Sequence, residues 1–422
     1  MTATEPDSLD QLSHCVAEAA RSKTALRFAG SSTWLSGGGP FREARLMSLH
    51  KLSGVLDYNP GDLVITLLAG TTLAELASVT RAHRQMFAAL PYGSDTSSIG
   101  ALAATASLSP LAFQDLSMRD LVLGTTVVTG TGAITRAGGK VVKNVAGFDL
   151  VRLHTGAWGT LGAIAELSLR LHAIPPEDRV VRAAVSEPLN VVLPRLAELA
   201  AAIPMQIAIE PDSNARLLQT AQPARVAQTT QPTQSAQTMQ PTQANQMPQP
   251  LHAPQTSHLL YARISGNSSR VRALLKKLQQ AGTEAPEETR PDALNNLRET
   301  PARDTVVRLR AAPSDAMALL RAADQIWPDA RMFYSPGRGT LRLSMQKPAA
   351  QRSMESLTNQ GPTACISQMH EPLNALMRSY GARHAASLIV EQGRTKARSL
   401  SDLEAGIKQT LDPHNICNPA AY

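Results

Sequence analysis

Three short segments of this 422-residue sequence gather glycine and hydroxyl side chains: GSSTWLSGG at 30–38, PYGSDTSSIGALAATAS at 91–107 and GAWGTLGAI at 156–164. Runs of small residues expose successive backbone N–H groups. The hydroxyls of Ser31, Ser32, Thr33, Thr96, Ser97 and Ser98 add further donors. A nest of this kind suits a pyrophosphate, and bare backbone also lets a flat ring lie close to the main chain. There is no GxxxxGK[ST] run and no GxGxxG between a strand and a helix, so neither a Walker nor a Rossmann site is supported. The joint occurrence of the three segments points to a dinucleotide held in some other way.

No comparable constellation nominates a catalytic group. The ten histidines are scattered; His370 and His384 stand 14 residues apart and His414 sits in the tail, so the general base is left unassigned. Cys15, Cys365 and Cys417 have neither cluster-binding nor disulfide spacing, which predicts no metal and a reducing compartment. A net charge of +7 without basic runs, with aromatics at 4%, argues against a nucleic-acid surface. The N-terminus lacks the pattern of a signal peptide, and no apolar run is long enough to span a membrane. A cytoplasmic chain is expected, with at most peripheral attachment to the inner face of the membrane.

The elements that must position these segments follow from periodicity. Leu9, Leu12, Val16 and Ala19 lie at helical spacing within 7–23, and ALRFAG (25–30) is a short strand. Two strands flank the turn Asn59-Pro60-Gly61-Asp62, and Thr72 with Glu75 forms a capping box for the next helix. A hairpin turns at Gly130-Thr131-Gly132. Leu167, Leu169 and Leu171 face one side of a half-buried strand whose other side carries Glu166, Ser168 and Arg170. Residues 215–257 are rich in Gln, Thr and Pro with almost no charge, which predicts a disordered insertion. Strands and helices then alternate, predicting a small four-stranded sheet with helices on one face. Leu274, Leu275 and Leu278 pack a helix on that sheet. A last helix, capped by Ser401 and Glu404, stops at Asp412-Pro413.

The stretches YNPGDLVITLLAGTTLAEL (58–76), SMRDLVLGTTVVTGTGAITRAGGKVVKNVAGFDLVRLHTGAWGTLGAIAELSLRLHAIP (117–175) and IKQTLDPHNICNP (407–419) resemble the vanillyl-alcohol oxidase (PCMH-type) FAD-binding superfamily. Within it, the wording is similar to the FAD-binding E subunits of bacterial glycolate oxidases. The resemblance implies an α+β fold: a two-lobed PCMH-type FAD-binding domain at 1–176 and a smaller α+β cap with an antiparallel sheet at 177–214 and 258–395. It also implies a C-terminal helix and tail, 396–422, that return to the first domain.

By the same resemblance, Gly30, Ser31, Ser32, Thr33 and Gly38 form the pyrophosphate loop, and Pro91, Ser98 and Gly100 the second cofactor loop. Gly156, Gly159, Gly162 and Ile164 hold the adenosine half, and Asn418 sits near the flavin. Lys143 and Asn144 either fix a turn or touch the cofactor. No His or Cys lies at 25–40, so the FAD is expected to be non-covalent. The chain departs from the family pattern at Ser31-Ser32 and Ala101, where more glycine is usual. The implied function is hydride transfer from a small 2-hydroxy acid to flavin within a multi-subunit glycolate oxidase, alongside a second FAD subunit and an iron–sulfur subunit. The alternatives are a self-sufficient D-lactate-type dehydrogenase, whose histidine-rich cap motif is absent here, and a scaffold subunit that has lost the cofactor.

Overall fold

The computed structural model describes residues 4–33, 44–113, 116–139, 149–209, 258–289, 305–345, 387–392 and 402–418. The insertion expected at 215–257 lies outside them, as do Gly38, Lys143, Asn144, Cys365, His370, His384 and Ser401.

Helix α1 (Leu9–Arg21) begins at Ser8, whose hydroxyl accepts from the Gln11 N–H, and buries Leu12, Val16 and Ala19. Strands β1 (Leu26–Ala29) and β2 (Arg45–Ser48) pair in parallel beside it. Strands β3 (Val55–Asn59) and β4 (Val64–Leu68) form the expected antiparallel pair, with the Asn59 side chain accepting from Gly61 N–H in the turn. The Thr72–Glu75 capping box is formed at the start of α2 (Leu73–Arg81). There follow β5 (Gln85–Met86), α3 (Ile99–Thr105), α4 (Met118–Leu121), the hairpin of β6 (Val122–Val128) and β7 (Ile134–Gly138), α5 (Leu150–His154), β8 (Ala163–Arg170) and β9 (His172–Ala173). A five-stranded sheet runs in the order β3-β4-β8-β6-β7. Its inner face carries Ile65, Leu67, Val127, Leu167 and Leu169, against which α3 packs Ile99, Leu102 and Ala103.

The second part comprises β10 (Glu177–Ala184), α6 (Leu189–Leu199), β11 (Met205–Ile209), β12 (Leu259–Gly266), α7 (Ser268–Gln280), β13 (Glu287–Glu288), β14 (Thr305–Arg310), α8 (Ala316–Ile326), β15 (Arg331–Ser335), β16 (Thr340–Met345) and β17 (Ser387–Gln392). The expected sheet of four strands is in fact one of eight, ordered β13-β10-β12-β11-β15-β16-β14-β17 and antiparallel throughout. Two four-stranded units are joined edge to edge by β11 and β15. Local periodicity identifies each strand but says nothing of such an edge pairing. Helices α6, α7 and α8 cover one face, and Leu274 and Leu278 are buried there as the helical spacing requires.

The other face, set by the period of two, turns Asp178, Arg263, Phe333 and Arg342 toward the first lobe. Arg263 donates to both carboxylate oxygens of Asp178, at 2.7 and 2.5 Å, and stacks 4.3 Å over the Phe113 ring. Arg342 stacks 4.1 Å over Tyr92, and Arg338 donates to the carbonyl of Phe113 at 3.1 Å. These strand faces read as polar, yet they are an internal interface. The last helix, α9 (Asp402–Leu411), returns to the β1–β2 side of the first lobe, where Ile416 and Cys417 join the core around α1.

His154, at the end of α5, is buried with its Nε2 unpaired among the described residues, and burial pushes its pKa from 6.5 down to about 4. Between those values the unfolded chain binds a proton that the folded chain refuses, so stability falls as pH drops through this window and is unaffected above it. Denaturant titrations of wild type and His154→Leu should diverge there, with the wild type losing up to about 3 kcal/mol more on acidification. Parallel curves would refute the buried neutral histidine.

Candidate functional site

A cleft opens between the β1–β2 pair and the five-stranded sheet. Its walls are the end of β1 and the loop after it (Arg27, Phe28, Ala29, Gly30, Ser32, Thr33), Leu49, Ala69 beyond β4, and α3 with its cap (Ser98, Gly100, Ala101, Ala104, Thr105). The turn into β8 (Trp158, Gly159, Gly162, Ala163, Ile164) and Asn418 complete it. The empty space, with its open mouth included, is about 670 Å³. Most of the lining is alanine, glycine or aromatic, so the walls are shallow and apolar.

Nine of the residues singled out in the sequence meet here: Gly30, Ser32, Thr33, Ser98, Gly100, Gly159, Gly162, Ile164 and Asn418. Ser31 does not line this cleft; it borders an outer concavity with Glu5, His50 and Glu75. Pro91 lines a different cavity, between α2 and the Asp178–Arg263 pair. Gly156 is used by the protein itself, its N–H donating to Ala103 O at 3.0 Å on the back of α3. Arg27, Phe28 and Trp158 line the cleft without having been singled out. Arg27 and Phe28 precede the glycine signal, and Trp158 sits inside it as a bulky residue with no nest character of its own.

Close backbone contacts hold these pieces together. A Cβ at Gly30 would overlap the Oγ of Ser98, so glycine is what allows the β1 loop to touch the α3 cap. Ser98 Oγ accepts from Ala101 N–H at 3.4 Å, the Thr33 and Ser97 hydroxyls bond at 3.0 Å, and Gly100 N–H donates to Ala69 O at 2.8 Å. Ser32, Trp158 and Asn418 adopt left-handed backbone, with φ of 61°, 54° and 35°. Each such conformation costs a non-glycine residue about 1–2 kcal/mol. Their convergence on one cleft is the pattern of a functional site. Ser32 therefore occupies a conformation that glycine would adopt without strain.

The tail completes the walls. Asn418 accepts from Phe28 N–H through Oδ1 at 2.8 Å, donates from Nδ2 to Trp158 O at 2.6 Å, and donates its own N–H to Leu26 O at 2.9 Å. Its side chain lies against Gly159, whose φ is +69° and where an added Cβ would stand 2.7 Å from Nδ2. Asn418 thus ties two walls to each other, its amide already engaged by backbone. The tail is anchored in turn by Asp412, fully buried, which accepts from Ile416 and Cys417 N–H at 3.0 and 2.9 Å. Lys408 Nζ donates to Asp412 at 2.7 Å, to Thr160 O at 2.5 Å and to Cys417 O at 3.1 Å. Burial and the Asp412 carboxylate hold the Cys417 thiol well above its ordinary pKa, so it is inert packing.

Residues 3–138 match the family of FAD binding domains. The matched span contains the first two glycine-rich segments, and Gly159, Gly162 and Asn418 extend the same cleft beyond it. Glycolate oxidase subunit GlcE of Escherichia coli is 35% identical over 185 residues, which is 43% of this chain and 52% of that relative. The alignment thus spans about half the length of that relative. D-2-hydroxyglutarate dehydrogenase of Xanthomonas citri pv. viticola is 27% identical over 98% of this chain and 87% of its own length. The crystal structure of p-cresol methylhydroxylase with substrate bound superimposes with a TM-score of 0.70 at 14% identity, over 99% of this chain and 88% of that one. The fold is therefore that of p-cresol methylhydroxylase, α+β with a capping antiparallel sheet.

Removal of the tail's anchor should be costly. Asp412→Ala leaves the Lys408 ammonium and two backbone N–H groups without their carboxylate, and should lower stability by about 3–5 kcal/mol in urea unfolding. Asn418→Ala should cost about 1–3 kcal/mol, because only the Phe28 N–H and Trp158 carbonyl lose partners. A reversed order of the two variants would refute this account of the tail.

Proposed function

We propose that the chain is the FAD-binding subunit of a glycolate-type 2-hydroxy-acid oxidoreductase, holding its flavin non-covalently in the cleft between β1 and the five-stranded sheet. The observation that carries this reading is the match to FAD-binding domains over residues 3–138, coinciding with a cleft whose walls come from all three glycine-rich segments and the tail. The walls fit the group. Gly30 and Gly100 bring backbone where a side chain would intrude, and Ala29, Ala69, Ala101, Ala104 and Ala163 leave a shallow apolar surface for planar rings. Ala101, where the family resemblance leads one to expect glycine, is part of that surface.

When bound, FAD supplies the acceptor for the hydride of the substrate's carbinol carbon. The chain's own part is to bind and orient it. Backbone at Gly30, Ser32 and Thr33 and the Ser32 and Thr33 hydroxyls would offer hydrogen bonds to phosphate, Trp158 and Phe28 would offer ring surface, and Asn418 fixes the distance between the walls. None of the described histidines lines the cleft, so the proton of the substrate hydroxyl is taken by a group outside this lining or by a partner subunit. Partners of the proposed assembly are a second flavin subunit and an iron–sulfur subunit. Among the described residues no helix is long and apolar enough to cross a membrane.

A second reading, a self-sufficient D-2-hydroxy-acid dehydrogenase, is favoured by the alignment with D-2-hydroxyglutarate dehydrogenase over nearly the whole chain. One experiment separates the two. The purified chain should show oxidised-flavin absorption, released into the supernatant by acid precipitation. Glycolate should bleach the flavin only once partner subunits are added. Bleaching of the chain alone by D-2-hydroxyglutarate or D-lactate would establish the second reading instead. A colourless protein that takes up no FAD would overturn both.

A further inference from the structure

We propose that Arg27 recognises the pyrophosphate of the bound dinucleotide, an inference that rests on the FAD reading above. Among the described residues lining the cleft, Arg27 alone carries a charge. The rest of the lining offers hydroxyls, amides and apolar surface, which can hydrogen-bond a phosphate but not neutralise it. An anion drawn into a desolvated cleft is strongly disfavoured unless a cation meets it there. A guanidinium is the side chain best shaped for this, since its planar fork gives paired N–H donors to phosphate oxygens.

The position of Arg27 is preorganised. It lies in β1 opposite Leu46 of the parallel neighbour, and the chain is pinned on either side of it by the returning tail. Leu26 N–H donates to Ile416 O at 2.7 Å, and Phe28 N–H donates to Asn418 Oδ1 at 2.8 Å. Gly30, three residues on, begins the loop from which Gly30, Ser32 and Thr33 line the same space. Burial lowers the guanidinium's pKa to about 10, which leaves it charged at neutral pH in surroundings that strengthen its attraction for an anion. Arg27 would then meet the charge of the phosphates while the glycine-hydroxyl loop fixes their geometry.

The test is a flavin fluorescence titration of the full chain with FAD and with riboflavin, which has no phosphate. Wild type should prefer FAD. Arg27→Gln should weaken FAD on the order of ten- to a hundredfold while leaving riboflavin unchanged, as expected for loss of a charged hydrogen-bonding partner. Arg27→Lys, which keeps the charge but not the fork, should fall between. Equal FAD affinity in wild type and Arg27→Gln, or an equal loss of FAD and riboflavin, would overturn the assignment. Thermal unfolding of the unliganded variants checks that each is folded. If Arg27→Gln does not fold, Arg27→Met keeps the length and apolar stem of the side chain and is read by the same criteria. A wild type that binds no flavin at all would instead refute the FAD reading, and this inference with it.

Discussion

The buried carboxylate of Asp412 is the point on which the cleft depends. Two backbone N–H groups and the Lys408 ammonium converge on it, and the same ammonium reaches Thr160 O in the turn before β8. A charge so deeply buried is tolerated only when its hydrogen-bonding capacity is met. Meeting it fixes the path of residues 412–418, which delivers Asn418 to the place where its amide bridges β1 and Trp158. Helix α9 and the tail therefore act as a brace between two walls that are far apart in the chain. Gly130 lies close against the Asp412 side chain, and its N–H donates to Leu411 O, so the β6–β7 hairpin is fitted to the same anchor.

The glycines of 156–162 acquire a more particular meaning from this arrangement. The protein's own groups use much of the bare backbone. Ala103 O takes the Gly156 N–H, and the Asn418 side chain rests on Gly159. The cleft is what remains after these contacts are made. Its strained residues, Ser32, Trp158 and Asn418, are non-glycine side chains held in left-handed backbone by the surrounding hydrogen bonds. That concentration of strain fits a site whose shape is set before any ligand arrives.

The cap is attached by a different kind of contact. Arg263 and Arg342 leave the eight-stranded sheet, stack on Phe113 and Tyr92 of the first lobe, and are buried there, Arg263 with its charge shared with Asp178. A guanidinium plane over an aromatic face keeps its hydrogen-bonding edges free, so Arg263 also reaches the Leu111 carbonyl, and Arg338 donates to the carbonyls of Phe113 and Leu116. The loop carrying Phe113 and Leu116, which the cap contacts, follows directly on α3, the helix that forms one wall of the cleft.

Much of the local structure was legible in the residues. The Thr72–Glu75 box, the Asn59 turn, the hairpin at Gly130-Thr131-Gly132 and the alternating strand at 163–170 are short-range features whose energetics lie within a few residues. The three glycine-hydroxyl segments were visible for the same reason, and residues from each of them line one cleft. The sequence could not show which side of each loop faces the cleft. Ser31 and Ser32 are alike and adjacent, yet Ser31 borders only the outer concavity while Ser32, in left-handed backbone, borders both that concavity and the cleft. Nor could it show that a polar strand face is an interface, that two four-stranded units share an edge, or that Arg27 lines the cleft. Those outcomes depend on contacts between residues hundreds of positions apart, such as Asn418 with Phe28, and only the folded chain supplies the geometry that makes them.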